Sequence, residues 1–364
     1  MDKNFVLDNN GRYKFWIEDG VLKKTYDTIS VRKYSPTALF AETCRAIVPA
    51  EVTTLSCTAF SPVSYFLNEI VLPPTIKTIE PGAFGGFDGK FVLMDGFTAA
   101  FLQDGVLYSG DGKVLLKATK EANGKKITIP EGVQEISPHA FEWIKIRSIS
   151  LPGSLEKIGA YAFGVVDQGC LCPDHRVPEF PLHLSAKVKS IGTGAFQSSR
   201  ISQITVDSKN KQFKTVDGVL FTKNGKKLIH CPTGKAGSFR IPEETEQICK
   251  NAFSGSTLSE VIIPGTFTNK LKPDCFTGSW IKKAVFEPGV TTLPESCLAT
   301  CTEMQQIVIP ESVTNIDKDA FRWTAVNLNY PVGSFGNGQA TIVAPAGSYA
   351  INYAKRNGLK HEEI

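Results

Sequence analysis

The sequence has no long apolar run, almost no net charge and no catalytic signature, and each absence removes a class of protein. No stretch of about 18 apolar residues occurs, so no segment is expected to span a membrane as a helix. Lys and Arg number 40 against 36 Asp and Glu, a net charge of +4 over 364 residues. That is too dilute for a phosphate-binding footprint, so nucleic acid is not an expected partner. GxSxG, HExxH, a P-loop and a GxGxxG after a strand are all missing, and GAFGGFDG at 82–89 has the wrong spacing. No enzyme activity and no cofactor are therefore expected. The opening MDKNFVLDNNGRYKFW lacks the apolar core of a secretory signal, so either a signal has been removed or the protein stays inside. Nine cysteines form an odd, scattered set, unlike a dense disulfide framework, and read as small apolar core residues.

What is present is a repeat. Its unit reads apolar, Pro, two residues, apolar, two residues, apolar, three residues, Ala, Phe. Copies include VPAEVTTLSCTAF from Val48, LPPTIKTIEPGAF from Leu72, IPEGVQEISPHAF from Ile129, LPGSLEKIGAYAF from Leu151 and IPESVTNIDKDAF from Ile309. Further copies start at Leu184 and Ile241, with variants at Ile263 and Phe286, and a worn copy is read at Val31, Tyr34, Ala38 and Leu39. A unit of about 22 to 24 residues cannot bury its own apolar face, so neighbours must stack. The residues before each Pro alternate apolar and polar, which predicts a short strand that Pro ends. The stacked strands form a parallel sheet, and the Phe residues (60, 84, 141, 163, 196, 253, 276 and 321) form an interior ladder.

Two gaps in the series are too long by one further element. They hold DGVLYSGDGKVLL at 104–116 and DGVLFTKNGKKLI at 217–229, which read as β-hairpins turning at Gly110-Asp111-Gly112 and Lys223-Asn224-Gly225. A relic, EDGVLKK, sits at 18–24. Phe84, Phe141 and Phe163 find counterparts at Phe196, Phe253 and Phe276, so a block of several units is duplicated with an offset of about 112 residues.

These units resemble the BspA-like leucine-rich-repeat proteins, over roughly residues 27–331. VAPAGSYAINYAKRNG at 343–358 is similar to the terminal segment of that family, with Ser348 as helix N-cap and Gly358 as stop. The resemblance implies a curved, right-handed repeat solenoid with a short C-terminal capping helix. The expected organisation is an N-terminal cap at 1–26, a solenoid at 27–331 with inserts at about 95–128 and 207–240 and a long turn at 164–183, and a C-terminal cap at 332–364. It also implies a cell-surface or secreted protein that binds a protein ligand such as a host extracellular-matrix protein. A cytoplasmic interaction scaffold is the alternative.

Candidate binding residues are the outward side chains of the strands, which a stacked sheet presents as rows. One row reads Val71, Thr128, Ser150, Thr205, Arg240, Ile262, Val285 and Val308; the other reads Glu69, Lys126, Ser148, Gln203, Glu260, Lys283 and Gln306. The apolar run Ile262, Val285 and Val308, with Glu260, Lys283, Gln306, Ser148 and Ser150, is the expected binding surface. A third reading places a metal or hydrolytic site in the 164–183 turn, where Cys170, Cys172, Asp174 and His175 cluster without the paired spacing of a zinc site. Cys249, Cys275 and Cys297 fall at or near the Ala slot and Cys57 two residues before it, and all four are expected to be buried. His230 and Cys231 are adjacent on a strand and so are expected to face opposite ways.

Overall fold

The computed structural model describes residues 5–7, 13–27, 45–61, 67–164, 179–267, 270–321, 324 and 340–364. It divides into two units, residues 1–166 with 187–195, and residues 167–186 with 196–364. Each is a parallel β-solenoid whose turns follow the repeat. The residues before Pro form one column of strands. In the second unit Ser238–Arg240, Glu260–Ile263, Lys283–Phe286, Gln306–Val308 and Thr341–Ala344 pair in parallel, in register, turn upon turn. The last residue before Pro extends the ladder, as when Ile241 N–H donates to Ile262 O at 3.0 Å and Ile309 N–H to Val343 O at 2.9 Å. Past the Pro, two-residue strands such as Glu135–Ile136, Lys157–Ile158 and Ser190–Ile191 form a second parallel column.

The third edge of each turn is the Ala-Phe corner. Phe60 N–H donates to Ala83 O, Phe141 to Ala162 O and Phe163 to Ala195 O, so this edge also satisfies its backbone from the next turn. The residue before Ala-Phe sits at positive φ in His139, Tyr161 and Asn251, as do Asp274 before the variant Cys275-Phe276 and Ser296 before Cys297-Leu298, a conformation that reverses the chain at some local cost. The expected aromatic ladder lies inside: all eight Phe residues are buried, and Phe60 stacks on Phe84, Phe141 on Phe163 and Phe253 on Phe276, with centroids 5.7, 5.2 and 4.8 Å apart. One contiguous core runs through the second unit from Val219 to Ala354. A helix, Tyr349–Arg356, closes it: Ser348 Oγ accepts from Ile351 N–H, and Ala350, Ile351 and Ala354 are buried against the last turn.

The inserts are three-stranded antiparallel meanders, one strand more than the hairpins read from sequence. In the first, Ala100–Gln103, Val106–Ser109 and Val114–Ala118 follow one another; in the second, Phe213–Val216, Val219–Thr222 and Lys227–His230. The added hairpin turns on Asp104-Gly105 or Asp217-Gly218, with both residues of each pair at positive φ, as a two-residue turn matching the strand twist requires. The last strand of each meander joins the second column, Val114 beside Glu135 and Lys227 beside Gln247. The corners stack across the insert: Gly86 N–H reaches Glu142 Oε2 at 2.9 Å, and Ser198 Oγ lies 2.7 Å from Ser254 Oγ. The meander is thus looped out between consecutive turns.

Candidate functional site

The outward rows are where period-two alternation puts them, and in the second unit they form two continuous lines. Ser238, Glu260, Lys283, Gln306 and Thr341 share one line; Arg240, Ile262, Val285, Val308 and Val343 share the next. Between them Phe239, Val261, Ala284, Ile307 and Ile342 point inward and are fully or almost fully buried. Glu260, Lys283, Gln306, Ile262, Val285 and Val308 are all half-buried, so the structure brings six of the eight candidates onto one ladder. Ser148 and Ser150 lie instead in the first unit, on a separate two-stranded sheet beside Lys126 and Thr128. Val71 departs from the expected row: it is 4% exposed, flanked in register by Ile47 and Val92.

Charges on this face are paired between turns. Lys283 Nζ lies 3.1 Å from Glu260 Oε1, and Ser238 Oγ donates to Glu260 Oε2 at 2.9 Å. The Ser238 hydrogen bond first, then Lys283, hold the Glu260 carboxyl below its ordinary range, so it is charged at neutral pH. Arg240 grips Glu287 with two nitrogens, Nε at 3.1 Å and Nη2 at 2.7 Å, and Glu243 at 3.0 Å. The surface therefore offers a narrow aliphatic strip, Ile262–Val285–Val308, continued by buried Val343 and bordered by fixed ion pairs. Sequence reading missed Ser238, Thr341 and Val343 as members; the alternation in Thr341-Ile342-Val343 was the available signal.

The other candidates carry less chemistry. Cys170, Cys172, Asp174, His175 and Cys44 lie outside the described residues, as does the worn repeat at 31–39. Among the described residues, no three His, Cys, Asp or Glu side chains are grouped to hold a metal ion. His230 and Cys231 are both buried; desolvation pushes the imidazole down to about 3 and the thiol up to about 12. Burial likewise raises Cys275 to about 12 and Cys301 to about 11, and Cys297 well above its usual value. These thiols are protonated and inert core residues. Cys249 is half-buried, and Cys57, expected inside, is exposed. It precedes the corner, where its backbone N–H donates to Glu80 Oε2 at 2.8 Å and its side chain is left outside the Phe ladder.

A short parallel-strand turn stacked about an Ala-Phe corner defines a leucine-rich-repeat solenoid. The model of the BspA-type leucine-rich-repeat region matches residues 39–90, 117–171, 177–226 and 229–333 in six copies, and the chain belongs to that family. A leucine-rich cell surface protein from Faecalibacterium prausnitzii is similar in structure at 20% identity, with a TM-score of 0.51 and 96% of each chain covered. The pneumococcal vaccine antigen PcpA is similar at 16% identity, TM-score 0.41, covering 99% of this chain and 98% of that one. A leucine-rich-repeat protein from Eubacterium ventriosum is similar at 18% identity, TM-score 0.40, covering 79% and 66%. No curated protein sequence matches the chain.

Proposed function

We propose that this is a non-enzymatic, surface-displayed binding protein that takes a protein ligand, such as an extracellular-matrix protein of a host, on the outer face of its second-unit sheet. The observation that carries the reading is the in-register line Ile262, Val285 and Val308 beside the Glu260–Lys283 pair, an aliphatic strip with a fixed charged border. Such a strip gives an apolar centre and polar rim, the usual division of labour in a protein interface. Membership of the BspA-type family supports it, as does the description of the Faecalibacterium protein as a cell surface protein. No helix among the described residues is long and apolar enough to cross a membrane.

The test combines Lys283→Ala, Val285→Ser, Gln306→Ala and Val308→Ser in one variant and measures binding to a panel of immobilised matrix proteins. Wild-type binding that the variant loses, with an unchanged melting transition, is the expected result. Equal binding by the variant, or none by the wild type, rejects the sheet as a matrix-binding face. Protease shaving of intact source cells tests display, and protection of the chain until lysis rejects it.

A further inference from the structure

The net charge of +4 is dilute over the whole chain but unevenly placed along it. Residues 207–227, the second insert with the bend that enters it, hold six lysines and two aspartates, a net +4. Matched on the Asp-Gly turns, residues 94–114 of the first insert hold one lysine and three aspartates, a net −2. Gly96, Thr98, Phe101, Gly110 and Val114 stand there in place of five of the six lysines. Both stretches fold as the same meander, so the fold does not require the lysines.

The fold brings lysines from two separate stretches to one end of this meander. The bend 207–212 bears Lys209 and Lys211, and the turn 222–227 bears Lys223, Lys226 and Lys227. Lys223 N–H donates to Gln212 O at 2.7 Å, one step past the Phe213–Thr222 pair, and Lys223 Nζ reaches Ser208 O at 3.5 Å, so the two bends lie side by side. Lys214 leans onto the same end: a Cβ added at Gly225 would fall 3.0 Å from its Nζ. Asparagine and threonine side chains fix both bends. Asn210, 1% exposed, donates to Ser185 O and accepts from Gln212 and Phe213 N–H, each at 2.8 Å. Asn224 Oδ1 accepts from Thr222 Oγ1 and Lys226 N–H, and Thr222 Oγ1 accepts from Lys227 N–H. Carboxylates neutralise little of the charge. Lys226 pairs with Glu246 at 2.8 Å, Asp207 accepts from the Lys209 backbone N–H, and Asp217, at the far end of the meander, pairs with Lys235 at 2.7 Å. Glu244 approaches Gly225 from the solenoid. Among the described residues Lys209, Lys211, Lys214 and Lys223 have no carboxylate partner.

We propose that this end of the second insert binds a sulfated polysaccharide, whose sulfate groups meet Lys209, Lys211, Lys214 and Lys223. Lysines left without a carboxylate on a fixed backbone concentrate a polyanion, and each acts as a point charge with no set geometry, which suits sulfates spaced along a flexible sugar chain. Nucleic acid fits less well. Phe213 and Phe221, the aromatic rings of this stretch, are buried and offer no base a stacking surface, and residues 207–227 contain no arginine to grip a base edge. A membrane surface also fits less well, because no apolar side chain of 207–227 is exposed to enter it. The site is independent of the second-unit sheet face.

The probe is a fluorescently labelled heparin decasaccharide, titrated with the full chain by anisotropy. Saturable binding is expected in about 50 mM salt, weakening as salt rises to about 200 mM. Changing Lys209, Lys211, Lys214 and Lys223 together to Gln should weaken it on the order of tenfold or more, with the melting transition unchanged. The same four changed to Arg should bind as the wild type does, and a fully desulfated decasaccharide should not bind. A charge-matched control, Lys77→Gln, Lys125→Gln, Lys126→Gln and Lys318→Gln, should keep its affinity. No saturation by the wild type overturns the proposal, as does equal affinity for the desulfated chain. Equal weakening by the control overturns it by reducing the effect to net charge. Tighter binding of a single-stranded oligonucleotide or of phosphatidylserine vesicles at the same salt would give the patch to another partner and likewise overturn it.

Discussion

The two inserts share a backbone but rest on opposite chemistry where they rejoin the solenoid. In the first, Lys117 is 1% exposed, with Nζ 2.6 Å from His139 O and 3.4 Å from Glu142 O. Glu142, 2% exposed, accepts from Gly86 N–H, and its Oε2 stands 3.0 Å from His139 Nδ1. In the second, the same positions are His230, Asn251, Ser254 and Ser198: a buried neutral imidazole, a Ser198–Ser254 pair, and Asn251 donating to Gln197 at 2.7 Å. The main-chain anchor is common to both, Ala118 N–H to Ala140 O and Cys231 N–H to Ala252 O, each 2.8 Å. One corner joins through charges and the other through neutral hydrogen bonds, so the backbone anchor defines the joint and the side chains are exchangeable as a set.

The comparison breaks hardest at Lys117. Replacing it by Met leaves the His139 and Glu142 carbonyl oxygens without their donor; with the lifted desolvation of the cation offsetting part of that loss, it should cost about 1–3 kcal/mol in urea unfolding. Installing the neutral set, Lys117→His with His139→Asn, Glu142→Ser, Gly85→Gln and Gly86→Ser, should cost less than the single change. A larger loss for the set would show that the two joints are not interchangeable.

The joints should also differ in pH response. Desolvation lowers His230 to about 3 from an ordinary 6.5, so between those values the unfolded chain binds a proton the folded chain refuses. Stability should therefore fall with acidification, by on the order of 2–3 kcal/mol between about pH 6.5 and 4.5. Lys117 is lowered to about 8 from 10.5, again by desolvation, against the opposing pull of Glu142 and Asp88. Its burial penalty is complete below pH 8 and is relieved as pH rises toward 10.5. Thermal melts across pH should show His230→Leu flattening the acid limb alone and Lys117→Met the alkaline limb alone; a flattened limb on the wrong side rejects the assignment.

The solenoid was legible because its signals are periodic: Phe253 and Phe276 recur at the turn spacing, and Ile307-Val308-Ile309 alternates as a strand must. The hairpins were legible from their Gly-containing turns, and the outward rows from alternation alone. The joints were not. A buried Lys117 defies the expectation for lysine, and its partners lie 22 and 25 residues away at a corner whose sequence is free to vary. Residues at positive φ in that corner, His139, Tyr161 and Asp274, have no common chemistry to betray them. Val71 and Cys57 were misplaced because burial there depends on neighbouring turns rather than on position within the unit. For the proposed binding face, the register of Ile262, Val285 and Val308 could be read, while the pairing of Glu260 with Ser238 required the third dimension.

The smallest expected difference lies at the paired Asp-Gly turns. Gly105 and Gly218 have φ of 84° and 80°, so a side chain at either is strained. At Gly218 the added Cβ would meet only Lys235 Cδ at 3.9 Å, and Gly218→Ala should cost the conformational term alone, about 1 kcal/mol. At Gly105 the same atom would fall 2.8 Å from Ala122 N, in the short helical turn Lys120–Ala122 that packs across the first insert. Backbone cannot swing aside as a side chain can, so Gly105→Ala should cost about 1 kcal/mol more than Gly218→Ala. Urea melts of the two single variants decide the matter. Equal losses would mean that the helical turn yields, and that the first insert is no more tightly seated on its solenoid than the second.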